Sequence, residues 1–198
     1  MSGRVLRDKG GFLSPVVSVV PHDGRPAVLK DYRAKNALTR GVLGPALVRR
    51  EFAVLRHLDG VPGIPRAYAV VEKRALLLEF VDGRTIGKFK PGELPDAVFG
   101  RLRDTVRAMH ARGVVHLDLR QKKNILVTDD GRPYLIDFGA ALKGRLTAAL
   151  RAVDESALLK FKAKLWPHLL TDDDRSALRS HRLLRRFWIF TPRGKSVR

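Results

Sequence analysis

The chain has 198 residues, 44% of them hydrophobic, with 39 Lys plus Arg against 20 Asp plus Glu and no cysteine. Without thiols there are no disulfides and no thiolate metal sites, which suits a reducing cytoplasm, and no run approaches the roughly 18 apolar residues of a membrane span. A net charge of +19 sets up a field that attracts polyanions: an acidic or phosphorylated acceptor, an anionic membrane surface, nucleic acid, or ATP itself. An arginine-rich but otherwise ordinary solvated surface accounts for the same number.

Taken in chain order, Val5–Arg7, Val16–Val20 and Ala27–Tyr32 read as short strands, the last two joined by the turn signal His22-Asp23-Gly24-Arg25. The VVSVV run among them, preceded by Pro15 and set between polar flanks, is too short and irregular for a signal peptide. A basic stretch from Asp31 to Pro45 leads into a helix over Leu47–Leu58, whose apolar positions 47, 48, 52, 54, 55 and 58 fall at roughly helical spacing. Pro62-Gly63-Ile64-Pro65 breaks the chain ahead of strands at Ala67–Val71 and Ala75–Val81, and Asp82-Gly83-Arg84 marks a boundary between two lobes. Pro95–Arg112 is helical, with Ala97, Val98, Leu102, Val106 and Met109 as its core stripe. Asn124–Val127 and Pro133–Ile136 pair across an Asp129-Asp130-Gly131 turn. Helices over Thr147–Trp166 and Asp172–Phe190 follow, separated by Pro167.

The chemistry concentrates in residues 113–139, which place Asp118, Asn124 and Asp137 on two short loops flanking that pair of strands. Phosphoryl transfer from ATP needs one carboxylate to orient the attacking hydroxyl, and a carboxylate plus an amide oxygen to hold magnesium on the phosphates. Upstream, Lys30 ends the apolar run Pro26-Ala27-Val28-Leu29, and Glu51 stands alone among the basic residues of its helix, a partner for that lysine. The other tempting groups have duller readings. His116 braces a loop; His22, His57, His110, His168 and His181 lack zinc-ligand spacing; Asp172-Asp173-Asp174 opens a helix at the positive end of its dipole.

The order of these residues resembles the protein-kinase family, whose patterns are V-A-I-K, H-R-D-L-x-x-x-N and D-F-G. The matching residues here are Ala27-Val28-Leu29-Lys30, His116-Leu117-Asp118-Leu119 with Asn124, and Asp137-Phe138-Gly139. The resemblance implies that Lys30, aimed by Glu51, contacts the α- and β-phosphates of ATP, that Asp137 and Asn124 bind Mg2+, and that Asp118 is the catalytic base. It also implies that backbone groups from Glu79 to Val81 meet the adenine. Two departures favour a nucleotide-binding pseudokinase or basic scaffold instead. Of the glycine-rich loop only Gly11 remains, and five residues rather than four separate Asp118 from Asn124, with Arg120, Gln121, Lys122 and Lys123 filling the longer loop.

After Gly139 only 59 residues remain and no A-P-E occurs, so the second lobe must be reduced. That economy resembles the minimal kinase-like branches: bacterial lipopolysaccharide-core (Kdo/heptose) kinases and RIO-type kinases, with residues 28–83 looking most like the former. The expectation is an α+β, minimal bilobal protein-kinase-like fold. Residues 1–83 form an N-lobe of antiparallel sheet plus one helix, residues 84–190 a mostly helical C-lobe, and residues 191–198 a flexible basic tail. The expected function is ATP- and magnesium-dependent transfer to a hydroxyl, first of a phosphorylated glycolipid at the inner membrane surface, and in the alternative of protein, with nucleic acid or a ribosome as lesser partners. The protein would be cytoplasmic or peripheral to that membrane. Leu178–Phe190, where apolar residues interleave with arginines, either seals the last helix or lies on an anionic surface.

Overall fold

The computed structural model describes residues 4–7 and 14–187. Gly11, Trp188, Phe190 and the expected tail 191–198 lie outside the described residues.

The chain opens with β1 (Arg4–Arg7), β2 (Val16–His22) and β3 (Arg25–Asp31). β2 and β3 form a hairpin in register from Val16 opposite Asp31 to His22 opposite Arg25, closed by Asp23 and Gly24, both at positive φ. That conformation is what a two-residue hairpin turn demands and what Asp-Gly tolerates. The basic stretch that follows is not featureless: Thr39–Leu43 forms a π-turn leading directly into α1 (Gly44–His57). Gly44 is required there, since a Cβ would lie 2.7 Å from the Thr39 carbonyl and 2.8 Å from the Tyr32 Cβ. β4 (Ala67–Val71) and β5 (Ala75–Glu79) complete an antiparallel sheet of order β1-β2-β3-β5-β4. β5 stops at Glu79, two residues before the expected Val81. Its inner residues Ala75–Leu78 are all buried, as is the α1 face made by Val48, Glu51, Val54 and Leu55.

The second lobe begins with β6 (Arg84–Thr85) and a 3-10 turn over Ile86–Lys88, then α2 (Asp96–Ala111), which buries Val98, Phe99, Leu102, Val106 and Met109. Next come β7 (Val114–Val115), β8 (Ile125–Val127), β9 (Pro133–Leu135) and β10 (Leu142–Lys143). β8 pairs with both β6 and β9, and β10 with β7. α3 (Arg151–Leu165) starts four residues later than the expected Thr147, behind a 3-10 stretch over Arg145–Leu150, and α4 (Asp172–Phe187) closes the described chain. Thr171 and Asp174 form a capping box: the threonine Oγ1 accepts the Asp174 N–H while the Asp174 carboxylate accepts the Thr171 N–H.

The architecture is a bilobal α+β fold, an antiparallel sheet with one helix against a reduced helical lobe. The lobes share a seam. Gly63, at φ 80°, accepts the Leu135 N–H on its carbonyl, and a Cβ there would come within 2.7 Å of both the Pro133 carbonyl and Thr105 Oγ1. The linker after α1 is thereby pinned to β9 and α2.

Candidate active site

The β8–β9 hairpin assembles the site. Its closed end is the turn Thr128–Arg132, where Gly131 sits at φ 73°. At its open end the Ile136 N–H donates to the Asn124 carbonyl at 2.9 Å, so Asn124 and Asp137 emerge side by side although thirteen positions separate them. Strand pairing alone does this: Ile125 faces Leu135 and Val127 faces Pro133.

Asp137 takes a left-handed conformation (φ 67°, ψ 65°), unusual for a residue other than glycine and costing of order 1–3 kcal/mol. Lys30 Nζ donates to its Oδ1 at 2.7 Å and to Glu51 Oε1 at 2.7 Å. The same Glu51 oxygen accepts the Phe138 N–H at 3.2 Å. One acid on the buried face of α1 therefore grips both the β3 lysine and the loop after β9. Burial alone would pull the Lys30 ammonium below its ordinary pKa; the charges of Glu51 and Asp137, with the hydrogen bonds to both, outweigh burial and hold it above. Beside Glu51, Arg50 Nη2 donates to the carbonyls of Ala140 (3.1 Å) and Ala141 (2.7 Å).

Across the hairpin, Asn124 Nδ2 donates to the backbone carbonyl of Asp118 (3.0 Å) and to its Oδ2 (2.9 Å). The extra loop residue is absorbed by two tight turns: Gln121 N–H bonds the Asp118 carbonyl, and Asn124 N–H the Gln121 carbonyl. Gln121 then folds back, its amide donating to both Asp118 oxygens at 2.8 and 2.6 Å. The longer spacing thus leaves Asn124 on Asp118.

His116 is fully buried and stands between the two loops. Its Nε2 donates to the Ile136 carbonyl (3.1 Å), Nδ1 accepts the Asp118 N–H (3.4 Å), and the ring packs against Phe138 with centroids 4.7 Å apart. These roles need the neutral imidazole, and burial pushes its pKa below the ordinary value. Behind it lies a residue that the sequence reading missed. Asp154, wholly buried on α3, accepts the N–H of His116 (2.8 Å), the N–H of Leu117 (2.9 Å) and His110 Nε2 (3.0 Å). Leu117 itself is held at φ 66°. The signal was present: Asp154 heads the buried stripe Ala157, Leu158, Phe161, Leu165, and an acid on an apolar face needs a buried partner.

Lys30, Glu51, Asp118, Asn124 and Asp137 are thus brought together. Glu79 is not part of the cluster: its carboxylate accepts the Arg66 N–H at 2.9 Å, and its own N–H bonds the Arg66 carbonyl. Val81 lies partly buried in the segment leaving β5. Two clefts, of about 280 Å³ between α2, α3 and α4 and about 670 Å³ between α2 and β9, sit away from these residues. The convergence of opposed charges identifies the site better than concavity does. The oxygen donors of Asp137 and Asn124 suit a hard cation such as magnesium, which takes one or two carboxylates and fills its remaining positions with phosphate and water.

Comparison with known proteins agrees with this geometry. A family model described as the RIO domain matches residues 26–155, about two thirds of the chain. The chain belongs to the RIO-domain family. The matched span runs from the start of the Lys30 strand to just past Asp154, so it contains every residue of the cluster and its anchor. Among curated proteins, this RIO domain is 30% identical over 110 residues to the serine/threonine-protein kinase PEPKR2 of Arabidopsis thaliana, covering 50% of this chain and 23% of that one. It is 27% identical over 111 residues to serine/threonine-protein kinase D of Synechocystis (53% and 22%), and 35% identical over 138 residues to cyclin-dependent kinase 4 of Ovis aries (61% and 45%). The chain therefore spans less than half the length of these relatives. Among the described residues of this RIO domain, no helix is long and apolar enough to cross a membrane.

Proposed function

We propose that this chain is an ATP- and magnesium-dependent protein kinase acting on serine or threonine hydroxyls. The observation that carries the reading is Lys30 shared at 2.7 Å between Glu51 and Asp137, with Asp118 and Asn124 joined at the same end of the β8–β9 hairpin. Family membership and the names of the aligned relatives support transfer to protein.

Lys30, kept charged and aimed by Glu51, meets the α- and β-phosphates of ATP. Asp137 and the Oδ1 of Asn124 would hold magnesium, which would supply charge neutralisation on the phosphates. Asp118 receives the proton of the acceptor hydroxyl. The acceptor oxygen bonds to the γ-phosphorus as the bond from that phosphorus to the β–γ bridging oxygen breaks, and ADP leaves with the electron pair. Gln121 and Asn124 orient Asp118, while backbone groups from Glu79 to Val81 and the segment around Gly11 bind the nucleotide.

A second reading, transfer to a lipopolysaccharide-core sugar at an anionic membrane face, rests on the net charge of +19 and on the likeness of residues 28–83 to those sugar kinases. The test offers γ-labelled ATP and magnesium to wild type and Asp118→Asn, with total cell protein and envelope glycolipid in parallel. Label in protein, lost in the variant, is the expected result. Label confined to glycolipid makes the second reading correct, and no label in either fraction makes the chain a pseudokinase.

A further inference from the structure

The longer catalytic loop does more than tether Asp118. Of its four exposed residues, Gln121 turns inward, while Arg120, Lys122 and Lys123 make no ion pair with any described carboxylate. Lys122 lays its stem on Gly87, where an added Cβ would lie 2.8 Å from the lysine Cβ and 2.9 Å from its Cδ. That contact joins the loop to the segment RTIGKFK, residues 84–90, which brings three more exposed cations, Arg84, Lys88 and Lys90. None of these has a described carboxylate within ion-pair distance either, and Arg84 is stacked over the Phe89 ring at 4.3 Å. Of the acids near this segment, Glu93 accepts the Lys90 backbone N–H, and Asp82 forms no ion pair with a described cation. Some cations elsewhere are paired, Arg33 with Asp31 and Glu72 and Arg132 with Asp130; what sets this group apart is its place beside Asp118.

Six positive charges without a described carboxylate partner, on two touching segments, therefore border the aspartate that would receive the acceptor proton. We propose that this rim selects an acceptor hydroxyl carried on an acidic polypeptide segment, one with carboxylates or phosphorylated side chains beside the target residue. The inference rests on the kinase reading and adds the class of substrate. A polypeptide fits better than an extended polyanionic surface, because the cations sit on two touching segments beside the single acid Asp118. Their side chains are long and solvated, which suits recognition of flanking charge in an extended chain.

The experiment uses the full chain, γ-labelled ATP and three sets of serine/threonine peptides whose flanks are Asp/Glu, Ala or Lys, with a phosphorylated inner-core glycolipid as a fourth acceptor. The variants are Lys122→Glu/Lys123→Glu and Lys88→Glu/Lys90→Glu. The proposal expects kcat/KM on acidic peptides to exceed that on neutral ones at least tenfold, and to fall steeply with ionic strength. Each charge reversal should cut the acidic-peptide value at least tenfold, leave the KM for ATP and the melting temperature unchanged, and raise the rate on Lys-flanked peptides. Transfer to peptides regardless of flanking charge, or unaltered by the reversals, overturns the rim and spares the kinase. Transfer to glycolipid with acidic peptides ignored also overturns it. No transfer to any acceptor overturns both readings.

Discussion

Asp154 offers the sharpest test of how the catalytic loop is held. The carboxylate is wholly buried and accepts three hydrogen bonds, from His116 N–H, Leu117 N–H and His110 Nε2. Asp154→Asn preserves volume and one acceptor oxygen, but turns an NH2 toward donors that it cannot satisfy. A buried donor left without a partner costs about 1–3 kcal/mol. At least one of the two backbone N–H groups loses its acceptor and meets another donor, and His110 must also readjust, so the expected loss is roughly 2–4 kcal/mol. That is a large share of a typical domain's stability of about 5–15 kcal/mol. Urea unfolding followed by far-ultraviolet circular dichroism measures it, as a lower midpoint at unchanged slope. Phosphoryl transfer should fall as well, since the two N–H bonds hold Leu117 in its left-handed conformation immediately before Asp118. Asp129→Asn, in the exposed turn between β8 and β9, is the control and should change neither quantity. A stability loss for Asp154→Asn of less than about 0.5 kcal/mol would refute the anchoring argument.

Other perturbations have equally definite outcomes. Lys30→Met removes the partner of buried Glu51 and should destabilise by about 3 kcal/mol while abolishing nucleotide-dependent transfer; an isothermal titration that still finds wild-type ATP affinity contradicts the role given to the lysine. His116 has a folded pKa below its ordinary value, so the unfolded chain takes up that proton first, and stability should be complete above about pH 6.5 and decline below it. His116→Gln should flatten this part of the pH–stability curve, and an unchanged curve means that the imidazole is not held neutral. Gln121→Ala frees both Asp118 oxygens from the side-chain amide; with the pair exposed, the loss should be modest, about threefold to tenfold in kcat with the KM for ATP unchanged. A rate equal to that of wild type would reduce Gln121 to a surface contact.

Much of the site could be read from the sequence because its residues sit at recognisable punctuation. Lys30 ends an apolar strand, Glu51 is a lone acid in a basic helix, and Asn124 and Asp137 bracket a hairpin whose turn is spelled Asp-Asp-Gly. The same reasoning that found Glu51 applies to Asp154, which also occupies the buried stripe of a helix, but α3 carries neither a strongly one-sided apolar pattern nor a cationic background to make the acid stand out. The small strands were invisible for a different reason. β6, β7 and β10 have two residues each, too few for any period, and they exist only because β8 and each other supply partners. The early end of β5 and the π-turn before α1 likewise depend on contacts far along the chain, with Arg66 and Tyr32. The loop insertion was visible as a count but not as a geometry; only the paired turns show that it moves Gln121 onto Asp118 and leaves Asn124 in place.

Burial separates the acids that anchor the site from the acid that is given the proton, and the separation can be measured. Glu51 and Asp154 are buried and fully engaged, so replacing either disturbs packing and function together. Asp118 differs: it is partly exposed, and its side-chain partners are exposed Gln121 and buried Asn124. In Asp118→Asn the new amide can rotate to keep one of these contacts, and the Gln121 amide can turn to water, so stability should change by less than about 1 kcal/mol. Transfer should instead fall by about 10²–10⁴-fold, the usual contribution of a positioned base. Glu51→Gln should show the opposite balance, with a loss of roughly 2–4 kcal/mol, because it leaves the buried Lys30 charge only half compensated. Paired measurements of unfolding midpoint and transfer rate on the two variants decide the point. If Asp118→Asn is as destabilised as Glu51→Gln, Asp118 is a structural turn acid and the chemistry lies elsewhere. If it is stable and inactive, the proton goes to Asp118.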